Sequence, residues 1–146
     1  MSDYFRLFNE IGIIGQLSRA LLEARLPPGF VSAQFFVLNH LVRIGDGRTP
    51  IAIAHAFQVP KTSMTHSLAV LERAGLIEIR KNPKDGRSKM VYITDTGRKF
   101  RQDVIDLLDP AISRIAAAFP PDKVARLLPD LEALRTLLDT NRDIAQ

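Results

Sequence analysis

Residues 80–97 read Arg80-Lys81-Asn82-Pro83-Lys84-Asp85-Gly86-Arg87-Ser88-Lys89-Met90-Val91-Tyr92-Ile93-Thr94-Asp95-Thr96-Gly97. The alternating run Leu76, Ile77, Glu78, Ile79, Arg80 leads into this stretch as a strand. A second β run, Met90 to Ile93, leaves it and meets a helix start at Thr94-Asp95. Two short β runs around an Asp-Gly turn predict a hairpin. Its tip carries Arg80, Lys81, Lys84, Arg87 and Lys89 against a single acid, Asp85. A hairpin gains no stability from crowded like charge, whereas a polyanion is attracted to it, and Arg87 beside Gly86 is placed to reach a narrow groove. Taken alone, the stretch reads equally well as a solvated hairpin that keeps the chain in solution.

The residues before the hairpin decide between these readings. Thr49 to Phe57 and Lys61 to Ala74 form two predicted helices joined by the turn Gln58-Val59-Pro60. Thr49 is the expected cap of the first, with Pro50 at its first helical position. In the second, Met64, Leu68 and Leu71 mark an inward stripe. Lys61, Thr62, Ser63, Thr65, His66 and Ala69 face outward, mostly near the N-terminal end. One lysine and several small hydroxyls there suit phosphates and base edges, and a recognition helix works from that end. One of the hydroxyls is also expected to cap the helix. Gly75 closes it. Helix, turn, helix and basic hairpin is the order of a winged helix-turn-helix.

At 146 residues the chain is expected to form one domain. Its net charge of +4 is unevenly spread. Residues 27–100 hold eleven Lys/Arg against five Asp/Glu, while residues 1–26 balance and residues 101–146 are acidic by two. A basic middle on a neutral or acidic frame is the footprint of a nucleic-acid surface. Without cysteine, disulfides, thiolate zinc sites and thiol redox sensing are excluded. The start lacks a basic signal-peptide region, and Arg6, Glu10 and Arg19 interrupt the following apolar residues, so no membrane segment and a cytoplasmic location are expected. His40, His55 and His66 fall on three different predicted helices without local ligand spacing, so no metal and no cofactor are assigned. No phosphate loop, nucleophile with a base, or paired carboxylate marks an enzyme.

The outer segments read as helices with unusually wide apolar surfaces. The first spans Tyr4 to about Leu26 and stops at Pro27-Pro28-Gly29. Ser32 is the expected N-cap of the next, which carries Phe35, Phe36, Leu38, Leu41, Val42 and Ile44 before stopping at Gly45-Asp46-Gly47. From Asp95 the chain reads as helical to its end. Pro110 is expected to kink or split that segment, with Asp109 capping the second piece, and Phe119-Pro120-Pro121 is expected to break it. The last helix carries Val124, Leu127, Leu128, Leu131, Leu134, Leu137 and Leu138, with Pro129 among them. A second copy is the natural cover for these stripes, and a twofold dimer is the commonest solution. A self-contained helical bundle is the alternative. The expected fold is mainly α with a small β-hairpin wing: a single domain over 1–146, its DNA-binding lobe at 30–100 and a helical dimerisation region at 1–26 and 101–146.

With these residues located, the chain resembles the MarR (multiple-antibiotic-resistance regulator) family of transcription factors. Asp85-Gly86-Arg87 followed by Ile93-Thr94-Asp95-Thr96-Gly97 is similar to that family's wing signature. Ala33-Gln34-Phe35, Thr49-Pro50 and Leu71-Glu72-Arg73-Ala74-Gly75-Leu76-Ile77 fall where the family has similar residues. The resemblance implies a homodimeric regulator, a repressor more often than an activator, on a pseudo-palindromic double-stranded DNA operator. Each recognition helix would enter a major groove and each wing, led by Arg87, a minor groove, with Asp85 orienting a neighbouring arginine. It also implies a small effector, often aromatic, bound between the dimerisation helices and the DNA-binding lobe. Phe8, Ile11, Phe36, His40 and Phe100 are candidates to line that site, and equally candidates for the core. An architectural DNA binder, or a winged helix used for protein contacts, is the alternative. Three departures stand out. Gln58 occupies a turn position usually held by Gly, which predicts an altered or strained backbone. His66 and Ser67 replace the residues common there, so operator preference does not transfer. Ile51 and Ala52 replace polar residues, which marks either a partner contact or, as is expected here, packing against Leu26 to Phe30.

Overall fold

The computed structural model describes residues 2–142, and the predicted helical run to the chain end lies outside them at 143–146. Among the described residues the order is α1 (Asp3–Glu23), α2 (Ser32–Ile44), α3 (Pro50–Phe57), α4 (Lys61–Arg73), β1 (Ile77–Asn82), β2 (Asp85–Ile93), α5 (Asp95–Ala118) and α6 (Pro121–Thr140). By its contacts the chain divides into Met1–Leu108 and Asp109–Gln146, a boundary that falls inside α5.

In the first unit, the inward stripes of α2, α3 and α4 close over the hairpin. Leu38, Leu41, Ile53, Leu71 and Val91 are almost completely buried there. A second cluster, Leu22, Phe35 and Val104, joins α1, α2 and α5. Directional bonds fix these contacts. Arg101 Nε donates to Asn39 Oδ1 at 3.0 Å, and Arg25 Nε donates to the Leu107 carbonyl at 3.3 Å. In the second unit, α6 has no fully buried residue, and Leu127, Leu128, Leu137 and Leu138 stand exposed.

Several sequence expectations need correction. Helix α1 ends at Glu23 rather than about Leu26. Ser32 is not the N-cap of α2. Val31 takes that place, its backbone N–H donating to Gln34 Oε1 at 2.7 Å, while the Ser32 N–H donates to Glu23 Oε1 at 3.0 Å. The acceptor comes from the preceding helix, so no local cap is needed. Likewise, no hydroxyl caps α4. Pro60 precedes it, and the Thr65 hydroxyl donates back to the Lys61 carbonyl at 2.9 Å. Pro110 does not split α5, which runs as a helix through it, so Asp109 is an interior residue and not a cap. Ile51 does not pack against Leu26 to Phe30; it is 62% exposed. Thr49 does cap α3, its hydroxyl oxygen accepting from the Ala52 N–H at 3.1 Å.

Candidate nucleic-acid interface

The wing is held at both ends. At its base, Thr94 Oγ1 donates to the Gly75 carbonyl at 2.7 Å and accepts from the Gly97 N–H at 3.0 Å, tying the close of α4 to the start of α5. Gly97 is required by contact. A Cβ there would collide with the Leu76 carbonyl oxygen and come within 2.9 Å of Ile93 Cγ1. On its edge, the Val91 N–H donates to the Arg48 carbonyl at 2.8 Å and the Gly47 N–H to the Val91 carbonyl at 3.0 Å. Asp46 Oδ1 accepts from the Ile93 N–H at 2.8 Å. The Gly45-Asp46-Gly47 stretch, legible in sequence as a helix stop, thus also anchors the wing.

At the tip the turn is not Asp-Gly. Asn82 pairs with Asp85, leaving Pro83-Lys84 as the two turn residues. The side chain of Asn82 fixes this choice. Its Oδ1 accepts from the Lys84 N–H at 3.0 Å and its Nδ2 donates to Ser88 Oγ at 2.9 Å, the Asx geometry that closes a turn locally. Asp85 Oδ1 accepts from the backbone N–H of Arg87 at 3.0 Å, so it positions that arginine through the main chain.

The register then sorts the wing's cations by face. Ile77 pairs with Ile93, Ile79 with Val91 and Lys81 with Lys89, which places these residues on one side of the ribbon. Glu78, Arg80, Met90 and Tyr92 lie on the other. There Arg80 donates to Glu78 Oε2 at 2.9 Å, and its guanidinium sits 4.3 Å from the Tyr92 ring centre. The hydrogen bond and charge of Glu78 hold Arg80 above its usual pKa, and Arg80 holds Glu78 below the usual carboxylate range. Lys81 and Lys89, by contrast, stand directly opposite each other, a like-charge pair that destabilises a bare hairpin.

Between α4 and the wing lies a cleft of about 510 Å³. Lys61, Thr65 and Ala69 line it from α4, Arg87 and Lys89 from the wing, and Thr49 and Ile51 from the start of α3. Of the residues singled out in the sequence, Lys61, Thr65, Arg87 and Lys89 are therefore brought together. Thr62 and His66 are exposed elsewhere on α4, and Lys84 is exposed at the wing tip. Ser63 lies on another side of α4, in a smaller cleft of about 260 Å³ that it shares with Arg19, Phe36, Phe57 and Met64. Ile51, Ala69 and Glu72 line the larger cleft as well but were not among the predicted site residues. Their signal, exposure beside cations, exists only once the helices are placed.

Two of the five predicted effector residues, Phe36 and Phe100, pack against the same cluster of Leu22, Phe35 and Val104. Phe36 lines the smaller cleft, while Phe100 packs on Phe30 with ring centres 4.9 Å apart. His40 packs on Phe57 at 5.2 Å. Phe8 is 45% exposed and Ile11 half-buried on α1. No helix among the described residues is long and apolar enough to cross a membrane.

A family model described as MarR family matches residues 29–88, the segment from the entry to α2 through the wing tip. The apo structure of E. coli MarR is 26% identical, with a TM-score of 0.74 over 88% of this chain and 96% of that one. A mutant E. coli MarR complexed with operator DNA is 25% identical, with a TM-score of 0.71 over 90% of this chain and 95% of that one. The transcriptional regulator BldR from Sulfolobus solfataricus shares the fold at 22% identity, with a TM-score of 0.77 over 93% and 99% of the two chains. The matched segment contains the helix pair and most of the wing, and the fold extends through α1, α5 and α6. Residues 29–88 thus match the MarR family, and along most of its length the chain shares the fold of MarR winged helix-turn-helix regulators.

Proposed function

We propose that the chain is a sequence-specific DNA-binding regulator that works as a homodimeric, effector-responsive repressor on a pseudo-palindromic operator. The observation that carries this reading is the cleft where Lys61 and Thr65 of α4 meet Arg87 and Lys89 of the wing. A helix in the major groove with a wing in the adjacent minor groove sets such cations against the same phosphate strand. Arg87, its backbone fixed by Asp85, is assigned the minor groove, with Lys84 at the tip and Lys81 beside Lys89 adding to the field. Thr62 and His66 complete the helix end offered to bases and phosphates, while Ser63, at the same end, lines the smaller cleft. Arg80 is assigned to holding the wing instead, because Glu78 and Tyr92 already engage it.

Effector response is assigned to the smaller cleft. Apolar walls from Phe36, Phe57 and Met64 with one guanidinium, Arg19, suit a small aromatic acid. Fluorescence anisotropy on DNA upstream of the chain's own gene, against a scrambled duplex across a salt series, tests the reading. Selective binding at two chains per site that weakens steeply with salt is expected, and Arg87→Ala is expected to cost about 1–3 kcal/mol of it. Equal, weak binding to both duplexes would instead indicate an architectural or protein-contact role.

A further inference from the structure

Cations account for only part of the larger cleft. Ile51, in the first turn of α3, is 62% exposed, although Ile53 and Ala54 of the same helix are buried. A lone exposed isoleucine is ordinary on a protein surface. This one lines a concave cleft with Ala69, among the cations Lys61, Arg87 and Lys89 and the single carboxylate of Glu72. On the DNA-binding reading proposed above, α4 lies in a major groove and the wing in the neighbouring minor groove. The strand separating those grooves must then pass between α4 and the wing, through this cleft. That strand alternates charged phosphates with apolar deoxyribose. Lysine and arginine complement the phosphates, but a branched hydrocarbon complements only the sugar.

We propose that Ile51, with Ala69, packs on a deoxyribose of that strand and anchors it independently of base sequence. Ribose would bring its 2′-hydroxyl against this apolar lining without a partner, so the contact also favours DNA at that nucleotide.

The test uses the full chain, a duplex recovered by selection from a randomised pool, and a scrambled duplex of equal length. Ile51→Ala is expected to weaken binding to both duplexes by the same factor, about tenfold for a dimer with two such contacts. The slope of log affinity against log salt should stay unchanged, because no cation is lost; Lys89→Ala should lower it. A single ribonucleotide walked along the selected duplex should weaken the wild type at one position per half-site and leave Ile51→Ala unaffected there. Because Ile51 is exposed, the variant should melt as the wild type does, which separates a lost contact from a lost fold. Unchanged affinity in Ile51→Ala overturns the contact. A loss confined to the selected duplex also overturns it, assigning Ile51 to a base edge such as a thymine methyl. If the wild type binds no duplex at low salt, the DNA-binding reading fails and the contact falls with it.

Discussion

Gln58 ends α3 at φ 55° and ψ 42°, a non-glycine residue in the left-handed region. The helix stops there because its N–H and that of Val59 turn back to carbonyls of the last turn, the Val59 bond reaching Ala54 at 3.1 Å. A side chain in this conformation costs about 1 kcal/mol relative to glycine, which takes it freely. Gln58→Gly is therefore expected to raise the urea midpoint by a shift worth about 1 kcal/mol, with DNA affinity unchanged. An unchanged or lower midpoint would mean that the glutamine side chain offsets the strain. The anomaly at Gln58 was legible in the sequence because glycine is usual at that point of the turn. The capping of α2 was not. Ser32 has the right chemistry for a cap, but the acceptor that fixes it is Glu23, nine residues earlier across a turn of two prolines and a glycine. Local pattern carries no information about such a partner.

Between elements, what decides is which face a residue occupies. The wing's five cations could be counted in the sequence, yet their roles depend on register, and register depends on the turn together with the irregularity beside it. With Pro83-Lys84 at the tip and the register shifted between Lys81 and Asn82, Lys81 and Lys89 share one face while Arg80 is turned to Glu78 and Tyr92 on the other. Two substitutions separate these roles. Lys81→Ala is expected to lower the salt slope of DNA binding by about one per protomer bound while leaving thermal stability unchanged or slightly higher, since a like-charge pair is relieved. Arg80→Ala is expected to lower thermal stability with the slope intact. The reverse pattern, in melting curves and salt titrations of the two variants, would show the faces misassigned.

The joint between α1 and α2 follows the same logic. The Ser32 backbone N–H, then its hydroxyl, with Arg19 nearby, hold the Glu23 carboxyl below its usual range. A carboxylate depressed in the folded state stabilises the fold above its unfolded pKa, and that contribution is lost as pH falls through the folded value. Glu23→Gln keeps an acceptor but loses the charge. It is expected to melt below the wild type at neutral pH and to converge with it once the solution is more acidic than the carboxylate range. Parallel melting curves at every pH would show that the charge is irrelevant to the joint.

For the whole molecule, the strongest constraint is what stays uncovered. In α1, Tyr4, Phe5, Ile14 and Leu17 are each more than half exposed, and in α6 Leu137 is 54% exposed. Leu137 is one of the residues whose spacing predicted the apolar stripe of α6, and a second copy was already its expected cover; which residues stay exposed in one chain was not legible, because that is a property of packing. Scattered exposed apolar residues need no explanation, but runs of them along whole helices would be an aggregation liability in a lone chain. A symmetric pair of copies removes the liability and, at the same time, sets two wings and two α4 helices at a fixed spacing, which a pseudo-palindromic site requires. Leu137→Glu tests the two consequences together. Because Leu137 is exposed in the single chain, a charge there leaves the folded chain intact, yet at a twofold interface it would be buried without a partner. The variant is expected to sediment as a monomer, to keep its helical content, and to bind a single half-site as well as the wild-type chain does. Its affinity for a full two-half-site duplex is expected to fall to the half-site level. A variant that remains dimeric would place the interface away from this face of α6. A folded monomer with undiminished full-site affinity would instead mean that DNA recognition does not depend on pairing two copies.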